Sequence, residues 1–205
     1  MRWLPFAAVV LPFALAGCAP RHAEAPAFPA VDAPSPSPII VREFAFSPRV
    51  VTLDPTLGYS LAGGTAVPPR QRAEALGRAA AFNLADTLSR EIKRLGYDVV
   101  AGGDGPLRPG ERALIVTGEF RRIYEGHRHA DADIAVAVAI DYASAGAAPQ
   151  RLVAFELDGR RLPREGLVAA AGPHGEDVNY EATRLGAVIG RYVARLAQTE
   201  HWPGR

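Results

Sequence analysis

The chain has 205 residues, 48% of them hydrophobic and 22% charged, which suits one domain with a true hydrophobic core and is short for two. Its 23 basic and 22 acidic residues nearly cancel, so no basic excess argues for a nucleic-acid partner. The single cysteine excludes an intramolecular disulfide, and the domain must hold together by packing.

The first seventeen residues, MRWLPFAAVVLPFALAG, have a short basic start at Arg2, an apolar stretch from Trp3 to Ala16 and small residues at the end. That is the layout of a signal peptide, too short for a comfortable transmembrane span and broken by Pro5 and Pro12. The run Leu15-Ala16-Gly17-Cys18 resembles the bacterial lipobox. That resemblance implies cleavage before Cys18 and acylation of its thiol, an anchor that works by burying methylenes in lipid. Ala19 stands where inner-membrane lipoproteins often carry aspartate, so the same resemblance implies the outer membrane, with the body in the periplasm. Residues 18–38 then hold six prolines among alanines and serines. Such a segment cannot satisfy a helix ladder and reads as an extended tether.

The globular part is expected over 39–198, with 199–205 as a fraying tail. Ile39 to Phe44 is branched and aromatic, as in a strand. From about Gln71, the positions Ala73, Gly77, Ala80, Leu84, Leu88, Ile92 and Leu95 fall on one stripe of a long helix that Gly96 stops. Phe82 lies on the far side of that helix. After a short strand at Tyr97–Val100 come three longer ones. In the first, Leu114, Val116, Gly118 and Phe120 alternate with other residues; strict alternation would send Arg121 and Arg122 to opposite faces. In the second, Ile134, Val136, Val138 and Ile140 alternate with Ala135, Ala137 and Ala139, and a face so thin suggests that another layer covers both sides. The third carries Val153, Phe155 and Leu157. A second helix from about Val178 to Gln198 has Leu185, Ile189, Val193 and Leu196 on one side, with Gly186 and Gly190 beside them permitting close packing. The fold class is therefore α+β: a two-layer sandwich with a mixed, mostly antiparallel sheet of about five strands and two long helices on one face.

The strand Ile39 to Phe44, the helix ending Leu95-Gly96-Tyr97 and the stretch VTGEFRRIYEGHRHAD from Val116 to Asp131 together resemble the bacterial lipoprotein family catalogued as domain of unknown function 4410. Gly118 and Phe120 match that family's strand, and Gly126 with Arg128 match its turn. His127 replaces the usual asparagine, and the alanine-rich Asp131 to Ala139 replaces a glycine-rich run. More distantly, the layout is similar to the periplasmic domains of curli-secretion and penicillin-binding-protein activator lipoproteins. These resemblances imply an envelope lipoprotein and bring no catalytic residues.

No residue pattern supplies an enzyme: G-x-S-x-G, H-E-x-x-H and the phosphate-loop pattern are all absent from the sequence. Glu125, His127, His129, Asp131 and Asp133 occupy alternate positions, and on an extended backbone they would offer nitrogen and oxygen ligands to a metal, with His127 and His129 foremost. Gly126 favours a turn that would scatter them into a solvated hairpin. Arg121, Arg122 and Arg128 form a basic cluster suited to an anionic polymer or a protein, and Phe82 is a second candidate contact. The sequence therefore describes a non-enzymatic, lipid-anchored interaction or assembly domain with an envelope protein as partner and no cofactor. Its alternative is a lipoprotein that binds a small ligand or a metal.

Overall fold

A computed structural model describes residues 35–55, 67–102, 105, 107–127, 131–162 and 177–202. The expected leader, Cys18 and most of the expected tether lie outside the described residues, as do Arg128 and His129. The elements run β1 (Ile39–Val41), β2 (Val51–Thr52), α1 (Pro69–Arg94), β3 (Val99–Ala101), β4 (Arg112–Tyr124), β5 (Asp133–Ser144), β6 (Gln150–Asp158) and α2 (Val178–Thr199). They form an α+β sandwich.

The six strands make one mixed sheet in the order β3-β1-β4-β5-β6, with β2 also paired to β4. β1 pairs in parallel with both β3 and β4, so the connection through α1 is a crossover. β4 and β5 form the long antiparallel ladder from Arg112↔Ser144 to Tyr124↔Asp133, and β6 extends it antiparallel to β5. The strand in excess of the expected five is β2. A 3₁₀ turn at Pro48–Val50 separates it from β1, because proline removes a ladder donor. Between the two, Ala45 bridges Glu119, so one side of β4 is covered by three short pieces of a single interrupted run.

Both helices lie on one face of this sheet. Leu114, Val116, Phe120 and Ile123 of β4 and Ile134, Val136, Val138 and Ile140 of β5 share one buried cluster with Leu84, Leu88, Ile92, Leu185, Ile189, Val193 and Leu196 of the helices. α1 begins at Pro69, slightly before the expected Gln71, since proline is tolerated in a first turn whose amides have no partner. It stops as expected, with Gly96 at φ 91° and the Tyr97 N–H donating to Ile92 O at 3.3 Å. The close approach of the helices rests on Gly186 and Gly190. A Cβ on Gly186 would stand 2.5 Å from Leu84 O, and one on Gly190 2.8 Å from Glu91 Cβ.

Two expectations are corrected. The chain does not fray through 202: Trp202 is 6% exposed, its ring 6.4 Å from that of Tyr142, and its N–H donates to Ala197 O. Nor, among the described residues, does a layer cover the alanine face of β5. Ala135, Ala137 and Ala139 are half-buried, whereas Ile134, Val136, Val138 and Ile140 beneath the helices are no more than 2% exposed. Among the described residues, an apolar cover is found at one end of the open face, where Ile40, Ala113, Ile115 and Ala143 pack with Leu107.

Candidate functional site

The open sheet face is where the chain gathers its unusual chemistry, and a β-bulge sets its pattern. Phe120 and Ile123 are both in the core, three residues apart, which strict alternation forbids. The ladder resolves this with a register shift between Phe120 and Arg122 that leaves Arg121 as an extra residue. The bulge also corrects the expectation that Arg121 and Arg122 diverge. Arg121 bonds Glu119 at 2.7 Å and approaches Glu156 at 3.8 Å. Arg122 bonds Asp133 at 2.6 Å and Asp158 at 2.9 Å. Glu156 and Asp158 stand two apart on β6, opposite Ala137 and Ala135, so both guanidinium groups serve the same face.

These arginines are neutralised. The hydrogen bond to Asp133 raises the Arg122 pKa above the usual arginine value, and Asp133, 5% exposed, also accepts from Arg160 at 3.0 Å. At the other end of the face Arg151 pairs with Asp141, and that hydrogen bond raises the Arg151 pKa likewise. Between the two charged groups lies a shallow trough of about 480 Å³ whose floor includes Thr117, Ala137, Ala139 and Ala154. Small side chains keep the floor low, and paired charges of both signs form its rim.

The histidine-acid segment does not present one face. β4 ends at Tyr124, and Gly126 at φ 84° turns the chain. Glu125 is taken up structurally: Arg72 Nη2 donates to both carboxylate oxygens at 3.0 and 3.1 Å, and the Asp54 N–H donates to Oε2 at 2.7 Å. Asp133 is held by its arginines on the sheet. His127 is exposed, its ring edge-on to Tyr124 at 6.2 Å. Among the described residues no group of three His, Cys, Asp or Glu side chains is assembled to hold a metal.

Phe82 is 68% exposed on α1, beside Asn83, whose Nδ2 donates to Asn179 Oδ1 of α2 at 2.7 Å. It belongs to the helical layer, so the structure does not join it to Arg121 and Arg122 in one site.

One buried cluster had no sequence expectation. Arg184 and Glu181 are 2% and 1% exposed and bond at 2.7 Å. Arg184 also donates to Gly159 O at 2.7 Å and Leu162 O at 3.2 Å, clamping the turn after β6. With Tyr124, Asp131, Asp133 and Arg160 they line a recess of about 160 Å³. The sequence signal was Gly159: a Cβ there would meet Glu181 Oε2 at 2.8 Å.

No helix among the described residues is long and apolar enough to cross a membrane. No family model matches the chain, and no curated protein does. Among solved structures, a protein described as a neuraminyllactose-binding hemagglutinin homolog from Helicobacter pylori aligns at 9% identity and a TM-score of 0.30, over 85% of this chain and 95% of that one. Similarity at that level carries no argument about fold or function.

Proposed function

We propose that this protein is a lipid-anchored envelope protein whose domain acts as a tethered interaction or assembly module with no catalytic chemistry of its own. In this reading acylated Cys18 holds it to the outer membrane, and residues 18–38 carry the domain into the periplasm. The lipobox and the resemblance to the lipoprotein families support the anchor. The observation that carries the interaction role is the open sheet face. Its alanine floor admits close approach of another surface, and its rim interleaves Glu119, Arg121, Glu156, Asp141 and Arg151.

A rim of paired opposite charges fits a protein surface with complementary charges of both signs. It suits an anionic polymer poorly, because the guanidinium groups of Arg121 and Arg122 already serve carboxylates.

The test places a photo-crosslinking residue at Ala137 in cells making the native precursor, with Ala75 on the exposed side of α1 as control and Cys18→Ser as the form that cannot be acylated. The reading expects a mature chain that begins at an acylated Cys18. It also expects an envelope protein captured from Ala137 and not from Ala75, and lost with Cys18→Ser. An unmodified Cys18 would overturn the anchor, and equal capture from both positions, or none from Ala137, would overturn the docking face.

A further inference from the structure

Among the described residues, one long strand of the sheet is paired on one side only. β6 closes the order β3-β1-β4-β5-β6, it is nine residues long with no proline, and among the described residues no backbone group of Gln150–Leu157 bonds outward from the sheet. An open edge of this length is a template for another strand.

We infer that the partner on this edge is a second copy of the chain, with the two β6 strands antiparallel about a twofold axis at Ala154. The sequence of β6 is complementary to itself in that register. Ala154, exposed, faces its own copy at the axis, where two small side chains meet without a clash. On the helix side Val153 of one copy opposes Phe155 of the other, an aromatic and β-branched pair of the kind that stabilises sheets. On the open face Glu156 of one copy comes alongside Arg151 of the other, twice by symmetry, as a second carboxylate on a guanidinium that already holds Asp141 and is 56% exposed.

The charge match depends on a second bulge. The β5–β6 ladder passes from Ile140↔Val153 to Asp141↔Arg151 and skips Leu152. Arg151 thereby joins Ala154 and Glu156 on the open face; under strict alternation it would lie on the other side. Glu156 is available for this role. Its side chain is 75% exposed, and its contact with Arg121 is long, at 3.8 Å. Like charges placed opposite each other are a common way to keep edges apart. Here the two ends of the strand carry opposite charges, so antiparallel self-pairing is attractive. An isologous contact of this type closes after two copies and does not propagate through β6.

The test uses the full chain carrying Cys18→Ser, purified in mild detergent. Sedimentation equilibrium is expected to show a reversible dimer. Glu156→Arg sets arginine beside arginine across the axis and weakens dimerisation by at least about tenfold, while Arg151→Glu together with Glu156→Arg restores it. Thermal melting of each variant separates this pattern from loss of the fold. In the same background Ala154→Cys is the only thiol, and a short bismaleimide is expected to join two copies through it, whereas Ala75→Cys stays uncrosslinked. A monomer across the concentration series, equal crosslinking at both positions, or a charge swap that fails to restore the dimer while the fold is intact, would overturn the inference.

Discussion

The ring of Phe44 lies over Gly118, so close that a Cβ built on the glycine would overlap Phe44 Cε1 and approach Ala137 O at 2.9 Å. Phe44 is 1% exposed and meets Phe120 edge-on, with ring centroids 6.4 Å apart. The interrupted run is thus pinned to β4 by an aromatic that fits only where β4 lacks a side chain. Gly118→Ala is expected to destabilise the domain by about 1–3 kcal/mol through overpacking, read as a lower denaturation midpoint. Combining it with Phe44→Leu should cost less than the sum of the two single changes, because the smaller side chain vacates the space.

Gly186→Ala sets two effects against each other. Alanine gains about 1 kcal/mol in helix propensity, but its Cβ would press on the backbone oxygen of Leu84, which cannot rotate away. Separating α1 from α2 costs more than that gain, so chemical denaturation should show net destabilisation. A stabilised variant would contradict the close helix contact.

Removing one member of the buried pair leaves the other charge in a medium that cannot solvate it. Arg184→Met is expected to cost about 3–5 kcal/mol, because Glu181 loses its guanidinium partner and the carbonyls of Gly159 and Leu162 each lose a donor. Replacing both, Arg184→Met with Glu181→Leu, should recover much of the loss in the same unfolding assay.

Acid stability should depend on Glu91. The hydrogen bond from Arg94 is the main cause that lowers its folded pKa below the ordinary 4.5, with burial opposing it. The unfolded chain therefore binds more protons in this range. The stabilisation is complete above the ordinary value and disappears as pH falls through the lowered folded pKa. Glu91→Gln should flatten the dependence of stability on pH below about 4.5 and leave its slope near neutrality unchanged, measured by denaturant midpoints across a pH series.

Arg122→Lys should weaken the far end of the ladder although charge is kept. A lysine cannot offer the fork that reaches Asp133 and Asp158 together. Asp133 retains Arg160, so the expected cost is smaller than for Arg184→Met, and hydrogen exchange at Tyr124 and Asp133 should accelerate before that at Val116.

The helices and the long strands were legible because their apolar residues keep phase: Ala80, Leu84, Leu88 and Ile92 on α1, and Ile134 to Ile140 on β5. What the sequence hid were the changes of phase. Arg121 and Leu152 each shift the alternation by one position. The only trace of the first is that Phe120 and Ile123 are both apolar. Phe44 likewise reads as the end of a strand begun at Ile39, because nothing in that stretch records Gly118, the glycine that receives its ring. The buried Glu181 and Arg184 resemble any exposed pair one turn apart, and only their neighbours on the turn after β6 distinguish them.

The chain upstream joins the body inside the sheet, one strand in from the β3 margin. Ser37 bridges Arg112, and β1 lies between β3 and β4, parallel to both. A pull on the upstream chain is therefore delivered along the axis of a strand held from two sides. Its hydrogen bonds to both neighbours are loaded together in shear, whereas a terminal strand at the margin could be peeled away one bond at a time. Tension arriving from upstream thus meets the sheet at a strand whose resistance is shared between two neighbours.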